Sequence, residues 1–398
     1  MYVVRPLSEY NKNPDALSQP PDGPNSGYMV ILDKEAETYS FFGLFKNHSL
    51  KGFPFPQNKE LTICYTQSNG QNSSSTSYDD TILIPVLNLP LSSNRYYAIK
   101  PLGKHKGEAF TCSREEDMVT CCFCTSIQDT KPKPFDPKNV YQQFEINVKE
   151  YFLAGKGYFY AKSVAPDGFP PYFLRRKGWR IRAETPKKYK LDEVAPGLNA
   201  SLRARRPDID FLPSYRTSEA VVVGKWYSPF MFVKESTLTL RDQVERSPFY
   251  QVTLEQRWEQ IFSSRNHYHE GKSVNVDVNL DRETVYVAGN KVDWDDRNAV
   301  EGVIWFRSYG KAAGEETTMG LSVELVQRMK WEAERGGWKD GKGRQVKVER
   351  TEKFEGKGDW NEFGCYVLVE SFIIRRLDGT VVLNWDFRHT QHIKSLWN

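Results

Sequence analysis

The sequence predicts an α+β, β-rich protein: mainly antiparallel sheets with a few packed helices. Two features of composition and one of pattern lead there. Aromatic residues make up 14% of the chain and hydrophobic residues only 39%. Large rings must therefore do much of the burying, which suits sheets better than helical bundles. Short β-branched or aromatic runs recur between Gly and Pro punctuation, as in antiparallel strands. At 398 residues the chain has room for one or two domains with a sizeable core.

Taken in order, residues 1–27 (with NPDALSQPPDGPNSG) read as an extended lead-in. Strands are predicted at 28–32, 39–45, 61–66, 81–87 and 96–100. The polar tract 68–77 (SNGQNSSSTS) buries too little apolar surface to order itself and reads as a mobile loop. Residues 131–138 (KPKPFDPK) read as a linker. Asp136-Pro137 then starts a helix with Val140, Phe144, Val148 and Tyr151 on one face, although Phe144, Ile146 and Val148 also alternate as in a strand. A domain boundary is predicted at 207–218, separating a β-rich domain 1–212 from an α+β domain 213–398.

Much of the core is expected to assemble on 219–262. Val221–Val223 and Phe230–Val233 read as strands. Thr253-Leu254-Glu255-Gln256 is a capping box, followed by Leu254, Trp258, Ile261 and Phe262 on one helical face. Val274, Val276, Val278 and Leu280 alternate, and with Val285 and Val287 they suggest a hairpin turning near Asp281-Arg282. Leu321, Leu325, Val326 and Met329 fit a helix stopped by Gly336-Gly337. Asp378-Gly379 can supply both positive φ values of a type I′ turn, setting Ile374 opposite Leu383 and Phe372 opposite Trp385. The other face of that half-buried hairpin carries Ser371, Arg375, Thr380, Asn384, Asp386 and Arg388.

A formal charge of +4 excludes a bulk nucleic-acid binder, so a polyanion would need a local patch. Six cysteines, two of them adjacent at Cys121-Cys122, do not form a disulfide framework. The N-terminus lacks the apolar core of a signal peptide, and no run is long enough to span a bilayer. The expected setting is cytoplasmic, with the nucleus as the alternative.

No catalytic signature stands out, so no catalytic residue and no cofactor is assigned. His105, Cys112, Cys121 and Cys124 are the densest set of soft ligands, yet their spacing lacks the C-x2-C knuckle of strong zinc sites. Thiols packing as small hydrophobes are the preferred reading, so no metal site is assigned. His267 with His269, and His389 with His392 at helical spacing, are weaker pairs. The run from Gly336 to Gly343 begins like a P-loop, but Gly343 replaces the Mg²⁺-ligating Ser/Thr and the run follows a helix. The best partner site is the basic segment 172–206. Between Phe173 and Arg206 it holds eleven Lys/Arg against three acids, interleaved with Trp179 and Tyr189. Arg175, Arg176, Lys177, Arg180 and Arg182 are the candidate anion-binding residues; the plainer alternative is a solvated basic face.

MYVVRPLS, PNSGYMVILDKEAET, FFGLF, FPFPQNKELT, SNRYYAIKPLGKHKGEAFTCSREEDM, PFDPKNVYQQFEI, VVVGKWYSPFMFVKE and the terminal FRHT resemble a plant-specific family of uncharacterised proteins, domain of unknown function 1262. The likeness covers nearly the whole chain. It implies a soluble land-plant protein whose relatives respond to stress or pathogens, and it carries no activity, cofactor or catalytic residue onto these positions.

Together these readings favour a non-enzymatic binding or scaffold protein in stress or defence responses, taking a protein partner or a polyanion without sequence-specific nucleic-acid readout. Two alternatives come from other classes. One is an enzyme, such as a hydrolase, whose site is assembled from scattered residues. The other is a zinc- or redox-responsive protein using the Cys112–Cys124 cluster.

Overall fold

Apolar residues at even spacing decide most of this architecture. The computed structural model describes residues 1–40, 45–68, 73–121, 124–149, 157–266, 271–295, 298–309, 316–341 and 343–398. It divides into two compact units, Met1–Ala195 with Tyr227–Tyr250, and Pro196–Trp226 with Gln251–Asn398. The segment 207–218 lies inside the second unit.

In the first unit, β1 (Tyr2–Pro6) and β2 (Gly27–Ile31) pair in parallel. Between them lie a short helix, α1 (Leu7–Lys12), and the 3-10 turn Pro14–Ser18. The expected extended lead-in is thus ordered, because Tyr2, Val4, Tyr10 and Ala16 bury. A second, seven-stranded sheet uses β3 (Glu60–Ser68), β4 (Ser74–Pro85), β5 (Arg95–Ile99), β6 (Gln143–Val148), β7 (Phe159–Ser163) and β8 (Arg180–Glu184). Their order is β7-β6-β5-β4-β3-β8, closed by the short strand Ser49–Leu50, and every pair is antiparallel. One face is a ring-rich core in which Phe159 packs on Phe55 at 5.3 Å and on Trp179 at 5.4 Å. Gln57 is buried in this unit and satisfied on both ends, donating to the Phe55 and Leu83 carbonyls and accepting from the Val30 amide.

The polar tract expected as a loop is partly strand: 74–77 belong to β4, paired with β3, and 69–72 lie outside the described residues. The helix expected from Asp136 is the single turn Val140–Gln142 followed by β6. Val140, Phe144 and Val148 are four apart, an even number, so a strand aligns them as well as a helix does. Val233 starts a three-residue strand, but Phe230–Phe232 is a 3-10 turn after Pro229.

The second unit carries β9 (Val221–Pro229, up to Trp226 here), β10 (Phe249–Arg265, from Gln251 here), β11 (Ser273–Asp281), β12 (Glu283–Val287), β13 (Asn290–Trp294), β14 (Val303–Tyr309), β15 (Glu316–Ser322), β16 (Gln345–Lys353), β17 (Glu362–Arg376) and β18 (Val381–Trp397). The main sheet runs β15-β14-β13-β12-β18-β17-β10-β9, while β11 and β16 form a separate antiparallel ribbon. Trp385 anchors the apolar face, stacked on Phe387 at 5.3 Å with Phe306 at 5.4 Å.

The helix expected at 253–262 is instead the long strand β10. Leu254 and Trp258, four apart, share a strand face with Val252 and Gln256, and all four bury. The hairpin expected around Asp281-Arg282 does not form: β11 pairs with β16, and β12 with β13 and β18. The predicted helix before Gly336 does form as α2 (Val323–Arg335), with Ser322 Oγ accepting the Leu325 amide and Gly337 at φ +96° just past its end.

The C-terminal hairpin has the predicted register, Ile374 opposite Leu383 and Phe372 opposite Trp385. Its turn differs: of Asp378 and Gly379, only Gly379 has positive φ, at +88°, and a register shift falls beside Arg375. This is a turn followed by a glycine bulge instead of a type I′ turn. The hairpin's second face is not solvated either, because Ser371 and Asp386 are buried, hydrogen-bonded to each other and to Arg257.

Candidate functional site

Glu370 interrupts the most apolar strand of the chain, CYVLVESFII in β17. A carboxylate there must find partners, since an unpaired buried charge costs several kcal/mol. Three side chains from other elements supply them: Arg203, Gln256 and His389. Arg203 comes from the six-residue helix Ala200–Arg205, whose N-cap Asn199 accepts the Leu202 amide. Arg203 grips Glu370 with a two-pronged fork, Nε to Oε1 at 2.7 Å and a terminal nitrogen to Oε2 at 2.5 Å. It also donates to the Glu332 carboxylate at 2.9 Å and the Glu332 carbonyl at 2.8 Å. Glu332, fully buried on α2, receives a further bond from Arg328 one turn earlier at 2.8 Å. Gln256 of β10 donates to Glu370 Oε1 at 2.8 Å, and its own Oε1 is buried without a partner.

His389 completes the set. It is fully buried, with Nε2 3.0 Å from Glu370 Oε2. Gln391 Nε2 stands 3.4 Å from His389 Nδ1 and donates to the Gly337 carbonyl at 2.6 Å. A bulge in β18 makes this possible: Val367 pairs with Ile393 but Leu368 pairs with His389, so residues 390–392 are extra. The bulge places His392 beside His389, ring centroids 6.3 Å apart. The two histidines therefore sit together on a bulged strand, not on the helical face their spacing suggested.

The charges of Arg203, Arg328, Glu332 and Glu370 balance. Burial by itself would raise the Glu370 carboxyl, but the hydrogen bonds and charge of Arg203 and His389 outweigh it and hold the group down at about 2. Gly336 serves this network by its lack of a side chain. A Cβ there would lie 2.0 Å from the Arg203 guanidinium, while its φ of −77° is open to any residue.

Above the network opens a cavity of about 320 Å³, lined by Arg203, Arg206, Arg335, Gln256, Glu370 and His392 among others. The lining holds three guanidinium groups against one carboxylate. Arg206 reaches His392 Nε2 at 3.2 Å. Burial, then the Arg206 and His389 charges, lower the His392 pKa from its ordinary value, which keeps it a neutral acceptor. Arg206 also has φ +61° and ψ 159°, a region nearly restricted to glycine that costs about 1–3 kcal/mol for another residue.

The residues singled out in the sequence lie elsewhere. Arg175 binds Asp129 at 2.8 Å, and Arg176 binds Ser77 at 2.8 Å and lies over the Tyr65 ring at 4.3 Å. Lys177 stands 6.0 Å from the Tyr160 ring centre. Arg180 and Arg182 project from alternate, exposed positions of β8, with Arg182 3.9 Å from Glu184. Three of the five thus have carboxylate neighbours, since Arg176 is also 3.5 Å from Asp79. The basic segment does reach the cavity, but through Arg203 and Arg206 at its far end.

His105 is held by Glu108 at 2.7 Å. Cys112 is a buried free thiol pushed up to about 11 by burial. Cys121 and Cys124 are register partners in a small hairpin. Cys122, His267 and His269 lie outside the described residues, as does Lys342 of the P-loop-like run. Among the described residues no group of three or more His, Cys, Asp or Glu stands ready to hold a metal. The signal that sequence reading passed over was Glu370, a lone acid in an apolar run.

Residues 22–123 match a family model described as "Protein of unknown function (DUF1262)". No curated protein matches the chain. Among solved structures, the crystal structure of Cry35Ab1 is similar with a TM-score of 0.43 and 10% identity, covering 86% of this chain and 90% of that one. Among the described residues no helix is long and apolar enough to cross a membrane.

Proposed function

We propose that this chain is a non-enzymatic binding protein whose second unit takes a small oxyanion, a carboxylate or phosphate, in the cavity above Glu370. The observation that carries the reading is charge placement. Three guanidinium groups, of Arg203, Arg206 and Arg335, line the cavity beside the single carboxylate of Glu370, and an anionic group is what such a lining would accept. The strain at Arg206 supports it, since a costly backbone conformation persists where it positions a functional group. An enzyme would need a reactive group poised at the cavity. Glu370 is instead locked ionised by its partners, and His389 is sealed beneath it.

The motif resemblance supports placing this activity in plant stress or defence responses. Free, buried Cys64, Cys112 and Cys365 suit a reducing compartment such as the cytoplasm. The exposed Arg180 and Arg182 keep a weaker second reading open, a polyanion-binding face on the first unit.

Calorimetric titration with inorganic phosphate and with acetate tests the oxyanion reading and separates its two forms. Binding of one of them, abolished in Arg206→Gly while the melting temperature holds or rises, is the expected result. Glycine relieves the backbone strain, so lost binding cannot then be blamed on unfolding. Equal affinity in Arg206→Gly and Arg335→Ala would remove the cavity from consideration.

A further inference from the structure

Three hydroxyl residues of the chain stand directly before a proline: Thr185, Ser228 and Ser247. Ser228 and Ser247 are sealed, at 1% and 0% exposure. Thr185 is exposed, and it leaves the end of β8 for a stretch without regular secondary structure that runs through 194. A residue before proline is biased toward extended backbone, the shape in which a kinase cleft takes its substrate segment. Pro186 also lacks an amide hydrogen, so a kinase pocket that offers no acceptor at that position selects it over other residues. Lys187 and Lys188 follow.

A receptor for a phosphate already stands beside the hydroxyl. Lys59, at the start of β3, donates from Nζ to Thr185 Oγ1 at 3.1 Å. The Lys59 side chain is only 8% exposed. Among the described residues the one carboxylate within ion-pair reach of it is Glu37, 4.0 Å away and bound more closely by Lys46. Two ammonium groups thus share one carboxylate, which leaves a surplus positive charge in a desolvated place. Burial, then Lys46, accordingly lowers the Lys59 pKa. The acids nearby are Glu184 and its cross-strand neighbour Glu60, and Glu184 has Arg182 at 3.9 Å. A phosphoryl group on Thr185 would bring about two negative charges and three acceptor oxygens to the Lys59 ammonium.

We propose that Thr185 is a phosphorylation site for a proline-directed protein kinase, with Lys59 holding the product phosphate. Thr185 Oγ1 attacks the γ-phosphorus of ATP. The new O–P bond forms as the bond from that phosphorus to the bridging oxygen breaks, ADP leaves, and the hydroxyl proton passes to the kinase's base. The modified side chain then ties the start of the 185–194 stretch to β3. This site lies in the first unit and does not rest on the oxyanion reading.

The test incubates the full chain with Mg²⁺-ATP and a mitogen-activated protein kinase proved active on a Ser-Pro peptide, and maps phosphate by mass spectrometry. Stoichiometric phosphate on Thr185 is expected, lost in Thr185→Ala and kept in Thr185→Ser. The phosphorylated chain should melt about 2–4 °C higher than the unmodified one. Lys59→Met keeps the apolar stem without the ammonium; it should still be phosphorylated but lose that rise. No phosphate on Thr185 in the folded chain would overturn the proposal. Phosphate on Ser228 or Ser247 as well would overturn it by showing that the kinase acted on unfolded chain. An equal rise in Lys59→Met would do so by showing that another group holds the phosphate.

Discussion

The ring-rich core of the first unit and the ionic core of the second solve the same problem in different ways. Phe55, Phe159 and Trp179 fill space with apolar surface, and the indole Nε1 of Trp179 finds the Leu174 carbonyl at 2.8 Å. The second unit buries Trp385 and Phe387 equally well but also encloses Arg203, Arg328, Glu332, Glu370 and His389. Apolar packing is non-directional and tolerates rearrangement. A buried charge cluster holds only while every partner is present. The difference teaches that the second core is specified by chemistry as well as volume, and that the cavity above it inherits a fixed geometry.

Removing one member of each core gives the largest effects. Arg203→Met takes the arginine from Glu370 and leaves Glu332 with Arg328 alone, and should destabilise by about 3–5 kcal/mol. Phe159→Ala opens a cavity and should cost about the same. Urea unfolding at neutral and acid pH separates them. The Arg203→Met penalty should shrink in acid, where the Glu370 and Glu332 carboxylates protonate, and the Phe159→Ala penalty should persist. Parallel behaviour of the two variants would break the distinction between the cores.

The pH dependence of the intact protein is the next effect in size. Glu370 titrates at about 2 when folded against an ordinary 4.5. Its contribution is therefore fully present above 4.5 and is lost as pH falls through about 2. The total is about 3 kcal/mol, and Glu370→Gln should flatten that limb of the stability curve. The lowered His392 acts in the same direction, since protonation disfavours the folded state. A curve unchanged by Glu370→Gln would show that the carboxylate is not held ionised.

Gly336→Ala should cost about 1–3 kcal/mol, as an overpacked site does, because the new methyl meets the Arg203 guanidinium. Oxyanion affinity should fall with it. A neutral effect would mean that Arg203 has room to move.

The smallest effect concerns the exposed face of the first unit. Arg180→Ser with Arg182→Ser should leave stability within about 0.5 kcal/mol. If that face binds polyanions, the pair should also lower the salt slope of heparin or RNA binding. An unchanged slope would rule out that face as an anion site.

Local chemistry settled what could be read residue by residue. The β-rich class follows from composition and punctuation. The register of Phe372 with Trp385 follows from a short turn between two alternating runs, and α2 follows from apolar residues at helical spacing and a Gly-Gly stop. Each signal lies within a few residues of its consequence. Periodicity failed where apolar residues stood four apart, as at Leu254 and Trp258, because that spacing satisfies a strand and a helix alike. Only the tertiary structure chose, by placing β10 beside β17. The candidate site was out of reach for the same reason of distance. Arg203, Glu332, Glu370 and His389 come from four elements spread over nearly two hundred residues, and their attraction exists only once folding has removed the water between them.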